Sequence, residues 1–122
     1  MGNENNSKKY EQRLIENKII SVISTELSNI DGVIGLKGNV ADSIHKSILG
    51  TNPLSQGIKM SLDDKDGYTL DLYLIVEYLA KIPQLAWEVQ TRIKDTLKKQ
   101  LNVKVKEINI HIQGTATLEE AQ

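Results

Sequence analysis

The chain contains no cysteine, which excludes disulfides, thiolate nucleophiles and cysteine-bound metals. It also lacks any apolar run near the roughly 18–20 residues that a membrane-spanning helix needs, so direct membrane insertion is not expected. Positive charge is not in excess either: 15 Lys and Arg stand against 16 Asp and Glu, a net charge of −1. Nucleic-acid binders ordinarily depend on many Lys/Arg–phosphate contacts, and no nucleic-acid partner is expected here. The two histidines, His45 and His111, are far apart, and neither forms a His-x-x-x-His or Glu-x-x-His pair of the kind that ligates zinc. Serines and threonines are scattered, with no nucleophile elbow. No cofactor or metal is expected, and the chain reads as a non-enzyme. With no cysteine and no signal peptide, it suits the cytoplasm.

What is present is a pattern of periodicities. A length of 122 residues with 39% apolar side chains fits one domain with a single modest core. Ile15, Ile19, Val22, Ile23, Leu27 and Ile30 form one helical stripe, and Asp31–Gly32 ends it. A short strand, "VIGL", follows. After Asn39, a plausible N-cap, Val40, Ile44 and Ile48 recur every four residues up to Gly50, which predicts a short helix. "IKMSL" alternates as a half-buried strand, and "DDKDG" reads as a hairpin turn. The next strand sets Tyr68, Leu70, Leu72, Leu74 and Val76 on one face, with Thr69, Asp71, Tyr73, Ile75 and Glu77 on the other. Pro83 suits the first turn of a helix whose apolar side carries Ile82, Leu85, Ala86, Val89, Ile93 and Leu97. In the last strand the apolar parity switches between Val105 and Ile108, which calls for a bulge or late start near Lys106–Glu107.

The expected fold is α+β, in the order α-β-(short α)-β-β-α-β. It has a mixed sheet of three or four strands with the two main helices on one face. Residues 9–114 make the domain, between a solvated tail at 1–8 and a second tail at 115–122.

Candidate chemistry is sparse. If Gly67 is set at the sixth position of a calcium loop, Leu62 and Tyr73 occupy the first and twelfth ligand positions. Neither donates a suitable oxygen, so the acidic segment is a hairpin tip. Glycines 32, 35 and 38 give "GVIGLKG", without the lysine and Ser/Thr of a P-loop. "GLKG" matches the GXXG of a KH domain, but that loop joins two helices, whereas this one follows a strand. His111 falls on the less apolar sheet face; if the last strand pairs with residues 68–77, it lies near Asp71 or Tyr73. Trp87 projects roughly 130° from the middle of its helix's apolar stripe, as either a protein-binding anchor or a cover for a loop.

The segments "DGVIGLKG", "NPLSQGIKM", "LDLYLIVEYLAKIPQLAWEVQTRIKDTL" and "VKEINIHIQG" together resemble the alkaline shock protein 23 (general stress protein 24) family of mainly Gram-positive bacteria. The resemblance covers roughly residues 15–114. It implies a non-catalytic adaptor or scaffold tied to envelope stress or lipid metabolism. Such a protein would be cytoplasmic, held at the membrane through a membrane-anchored protein partner in some members, and homo-oligomeric in others. The framework positions that match are Gly35, Asp71, Tyr73, Pro83, Gln90 and Gly114; Leu79 and Trp87 depart from the family pattern. Candidate interaction residues are Trp87, Tyr73, Ile75 and His111. Two alternatives stay open: a regulator that binds acyl-CoA or a nucleotide through a loop with Asn52 and Ser55, and a KH-like RNA-binding module.

Overall fold

A computed structural model describes residues 2–38, 57–117 and 119. Helix α1 (Gly2–Ser28) leads into strand β1 (Val33–Leu36). Strands β2 (Ile58–Asp63) and β3 (Gly67–Glu77), helix α2 (Ile82–Leu101) and strand β4 (Val105–Ala116) follow. The short helix expected after Asn39, with His45, and the loop carrying Asn52 and Ser55 lie outside the described residues.

The sheet is four-stranded and mixed, built around β3. Along one edge β3 pairs in parallel with β4, from Tyr68↔Val105 to Glu77↔Ala116. Antiparallel pairing to β2 uses residues 67–72, and to β1 residues 74–76. Because β4 occupies one whole edge, β1 and β2 must lie end to end along the other. The junction is tight: Lys37 N–H donates to the Tyr73 carbonyl at 2.8 Å, and Tyr73 N–H donates to that of Gly57 at 2.8 Å. Gly57 has φ +80, and a Cβ there would sit 2.7 Å from the Lys37 carbonyl oxygen. Glycine alone permits both that backbone conformation and that approach.

Alternation in β3 becomes burial. Leu70, Leu72, Leu74 and Val76 are fully buried, against Ile19, Ile23 and Leu27 of α1 and Leu85, Val89, Ile93 and Leu97 of α2. Each such side chain contributes about 1.5–3 kcal/mol of apolar transfer. Both helices therefore cover the same sheet face. Arg92 ties them together, pairing with Glu26 at 3.2 Å and donating to the Asn29 carbonyl at 3.3 Å. Helix α2 ends on Asn102 in the left-handed conformation (φ 53), with the Val103 N–H returning to Leu97. That motif satisfies the last carbonyls, while Lys98 and Lys99 complement the helix dipole. Gln90 reaches across to β4, its Nε2 donating to the Ile108 carbonyl at 2.8 Å.

The parity switch in β4 is a bulge: Tyr68 faces Val105 and Thr69 faces Glu107, leaving Lys106 as the extra residue. A second shift, between Ile112 and Gly114, leaves Gln113 extra and sets Gly114 beside Ile75. Three boundaries depart from expectation. Helix α1 starts at Gly2 rather than after a tail of eight residues, since extending a nucleated helix is cheap even for polar residues. Ile15 stays 41% exposed, so α1's buried stripe begins at Ile19. Strand β4 runs to Ala116 because β3 offers it an edge as far as Glu77.

Candidate interaction site

The sheet face turned away from the helices assembles the expected polar group. Tyr73 and His111 are register partners on β3 and β4; their rings stack with centroids 4.5 Å apart and planes 11° apart. His111 Nε2 lies 2.9 Å from Asp71 Oδ1, which also accepts from Asn109 Nδ2 at 3.2 Å. Lys37 Nζ donates to Gln113 Oε1 at 3.3 Å across the sheet. Ile75 lies beside glycines on both neighbouring strands, Gly35 and Gly114, and a Cβ on Gly114 would touch its Cδ1 at 3.5 Å. Asp71, Tyr73, Ile75, Asn109 and His111 are half-buried, while Lys37 and Gln113 are exposed at the edge of the face. The polar contacts thus hold the face together, although the His111 side chain stays 39% exposed.

Trp87 belongs to a different place. It is 67% exposed on the outer side of α2, as its helical angle predicts. The structure adds two further exposed apolar side chains that sequence periodicity does not reach: Tyr78, 64% exposed, and Leu79, 81% exposed, in the β3–α2 connection. Leu79 has φ +70, a left-handed conformation that costs a leucine about 1–2 kcal/mol. An open groove of about 380 Å³ runs beside Tyr78 and Leu79, and a second of about 520 Å³ beside Pro83 and Trp87. Gln84 and Glu88 line both, so the grooves and the three apolar side chains form one continuous corner. Asp31 and Glu77 edge the first groove.

At the other end of β3 a groove of about 440 Å³ separates the first turns of α1 from the β2–β3 hairpin, with Ile15 and Leu62 in its lining. There Tyr68 donates its hydroxyl to Glu16 at 3.2 Å. Burial, then the Glu16 charge and the hydrogen bond, push the Tyr68 phenol up to about 12. The hairpin tip is capped by Asp63, whose Oδ1 accepts from the backbone of Lys65 at 2.8 Å and Asp66 at 3.3 Å; those bonds hold its carboxyl below the ordinary range. Among the described residues no group of three His, Asp or Glu is placed to hold a metal, and no helix is long and apolar enough to cross a membrane.

Comparison with known proteins follows the same framework. The model of the alkaline shock protein 23 family, described as having a cell envelope-related function, matches residues 5–117. Protein YqhY of Bacillus subtilis is 37% identical over 98 residues, covering 80% of this chain and 71% of YqhY. YloU of the same organism is 29% identical over 109 residues, covering 87% and 89%. A stress response regulator gls24 homolog of Streptococcus pyogenes is 21% identical over 111 residues, covering 91% of this chain and 59% of that protein. No solved structure matches the chain.

Proposed function

Because the chain belongs to the alkaline shock protein 23 family, whose function is cell envelope-related, we propose that it is a non-catalytic adaptor or scaffold acting through protein–protein contacts. It works inside the cell, reaching the envelope through a protein partner rather than by inserting itself. The observation that carries this reading is the corner at Tyr78, Leu79 and Trp87, three large apolar side chains in the open beside two grooves. Clustered aromatic and aliphatic anchors of this kind dominate binding at protein interfaces. Leu79 adds weight, since a strained backbone that leaves its side chain in water gains nothing for folding. The sheet face ranks second as a contact surface, because Tyr73, His111 and Asp71 already satisfy one another.

The test is site-specific photo-crosslinking in the native host with the probe at Gln84, between the grooves. The reading expects discrete crosslinked proteins that disappear when Trp87→Ala is added and persist with Tyr73→Ala. Crosslinks indifferent to Trp87→Ala would remove the corner from the function.

A further inference from the structure

We propose that the outer edge of β4 takes up an extended segment of a partner protein as an added strand. This contact is separate from the corner at Tyr78 and Leu79, and neither depends on the other. The direction of the backbone groups follows from the pairing. In β3 the odd residues turn toward β1 and β2: Tyr73 donates to Gly57 and accepts from Lys37, and Glu77 donates to Gly32. The even residues turn toward β4, as the bonds from Tyr68 to Lys104 and from Tyr78 to Ala116 show. Leu70, Leu72 and Leu74 stand opposite Ile108, Ile110 and Ile112. In a parallel ladder only one residue of each such pair points its N–H and C=O at the other strand, so the three isoleucines point theirs outward. Ile108 bears this out, its carbonyl accepting from Gln90 Nε2 on α2 at 2.8 Å. The outward groups of Ile110 and Ile112 have no partner among the described residues.

Folded proteins ordinarily blunt such an edge with lysine, proline or shortness. From Ile108 to Ala116, β4 carries no proline and no Lys, Arg, Asp or Glu. The Gln90 amide closes the regular stretch at one end and the bulge at Gln113 at the other, with Ile110 and Ile112 open between them. Their side chains are only half-buried, whereas Leu72 and Leu74 beside them are fully buried. An added strand would pair both N–H groups and both carbonyls, and would complete the cover of both isoleucines. Ile108 to Ile112 spans roughly 15 Å, enough for a short peptide but far short of the roughly 800 Å² per partner of a stable dimer. Charge at the rim narrows the occupant further. Lys94 and Lys98 follow Gln90 at four-residue intervals along α2; both are exposed, and neither has an ion pair among the described residues. Helix α2 runs back against β4, which puts these lysines at the Ile108 end of the edge. The segment that fits has apolar side chains at alternate positions, over Ile110 and Ile112, and an acidic residue at the end beside Lys94. Main-chain bonds then supply affinity and the alternate side chains selectivity.

Random heptapeptides displayed on phage and selected on the immobilised full chain test this. Enriched peptides should alternate apolar and polar residues and carry an acid at one end. Synthetic copies methylated at one backbone nitrogen at a time should lose binding at every second position only, because a strand offers alternate N–H groups to its neighbour. In the free chain the Ile110 and Ile112 amides should exchange faster than those of Asn109 and His111, which face β3. Bound peptide should slow the first pair by about tenfold or more and leave the second pair unchanged. Ile112→Pro removes one outward donor where an edge strand tolerates proline and should abolish peptide binding, with circular dichroism and urea midpoint checking the fold. The methylation scan alters only the peptide, so it stands even if that variant unfolds. Absence of enriched alternating peptides, or methylation effects without the alternation, would overturn the proposal. So would protection of Ile110 and Ile112 that grows with the concentration of the chain alone, the mark of a second copy on the edge. Crosslinks from Gln84 report on the corner and are unaffected by any of these outcomes.

Discussion

Replacing Leu79 by glycine should separate folding from binding. At φ +70 a leucine carries about 1–2 kcal/mol of backbone strain, which glycine removes. Against this, glycine gives the unfolded chain freedom worth about 0.5–1 kcal/mol. The side chain is 81% exposed, so truncation forfeits only about a fifth of a leucine's burial, roughly 0.4 kcal/mol. The sum lies between about −0.4 and +1.1 kcal/mol, a near-neutral to stabilising change at a position where an apolar side chain is lost. Leu79→Asn tolerates the same backbone without glycine's added freedom and should gain on the order of 1 kcal/mol. Leu79→Ala keeps the strain and should be neutral or slightly destabilising. Urea denaturation followed by circular dichroism measures all three, with an unchanged slope m confirming that the midpoint shift reports stability. In the photo-crosslinking assay with the probe at Gln84, both Leu79→Gly and Leu79→Asn should weaken the crosslinks while the fold is no less stable, the pattern of a residue held for binding rather than for folding. A loss of more than about 1 kcal/mol in Leu79→Gly would refute the reasoning, because it would mean that the leucine packs or that the turn is not strained.

The remaining expectations concern the core and its edges. The Tyr68 phenol is pushed up to about 12 from an ordinary value of 10.0, so its contribution is complete below pH 10 and is lost as pH rises through about 12. Urea midpoints between pH 9 and 12 should therefore fall less steeply in Tyr68→Phe than in the unaltered chain; identical slopes would show that burial and the Glu16 contact do not hold the phenol's proton. Leu72, fully buried on the central strand, should cost about 2–5 kcal/mol as Leu72→Ala, measured as a drop in urea midpoint. Gln90→Leu leaves the Ile108 carbonyl without its 2.8 Å donor and should cost about 1–2 kcal/mol, with faster amide exchange in β4 next to the bulge. Gly67→Ala sets a Cβ against the Lys104 carbonyl at φ +93, and thermal melting should show a larger loss than for Leu79→Ala, where the backbone already carries a side chain.

Much of this molecule was legible one element at a time. The alternation of residues 68–77 named the buried face of β3, and four-residue spacing named Leu85, Val89, Ile93 and Leu97 as the inner side of α2. The parity break between Val105 and Ile108 named the Lys106 bulge. Even the meeting of His111 with Asp71 and Tyr73 followed once β4 was set beside β3. These are consequences of short periods, 2.0 and 3.6 residues, which the chain carries locally.

The tertiary structure decided what periodicity has no means to express. Only pairing shows that β1 and β2 share one edge of β3, because an edge is defined by a partner distant in sequence. Ile15 fits the α1 stripe yet stays 41% exposed at the mouth of a groove, since the core proper closes over the helix only from Ile19 onward. The corner escaped for the same reason. Tyr78 and Leu79 sit in a connection without a period, and their groove adjoins the one beside Trp87 only because α2 folds back along the sheet. The chain's order thus sets which faces are apolar, and the packing sets which of them stay uncovered.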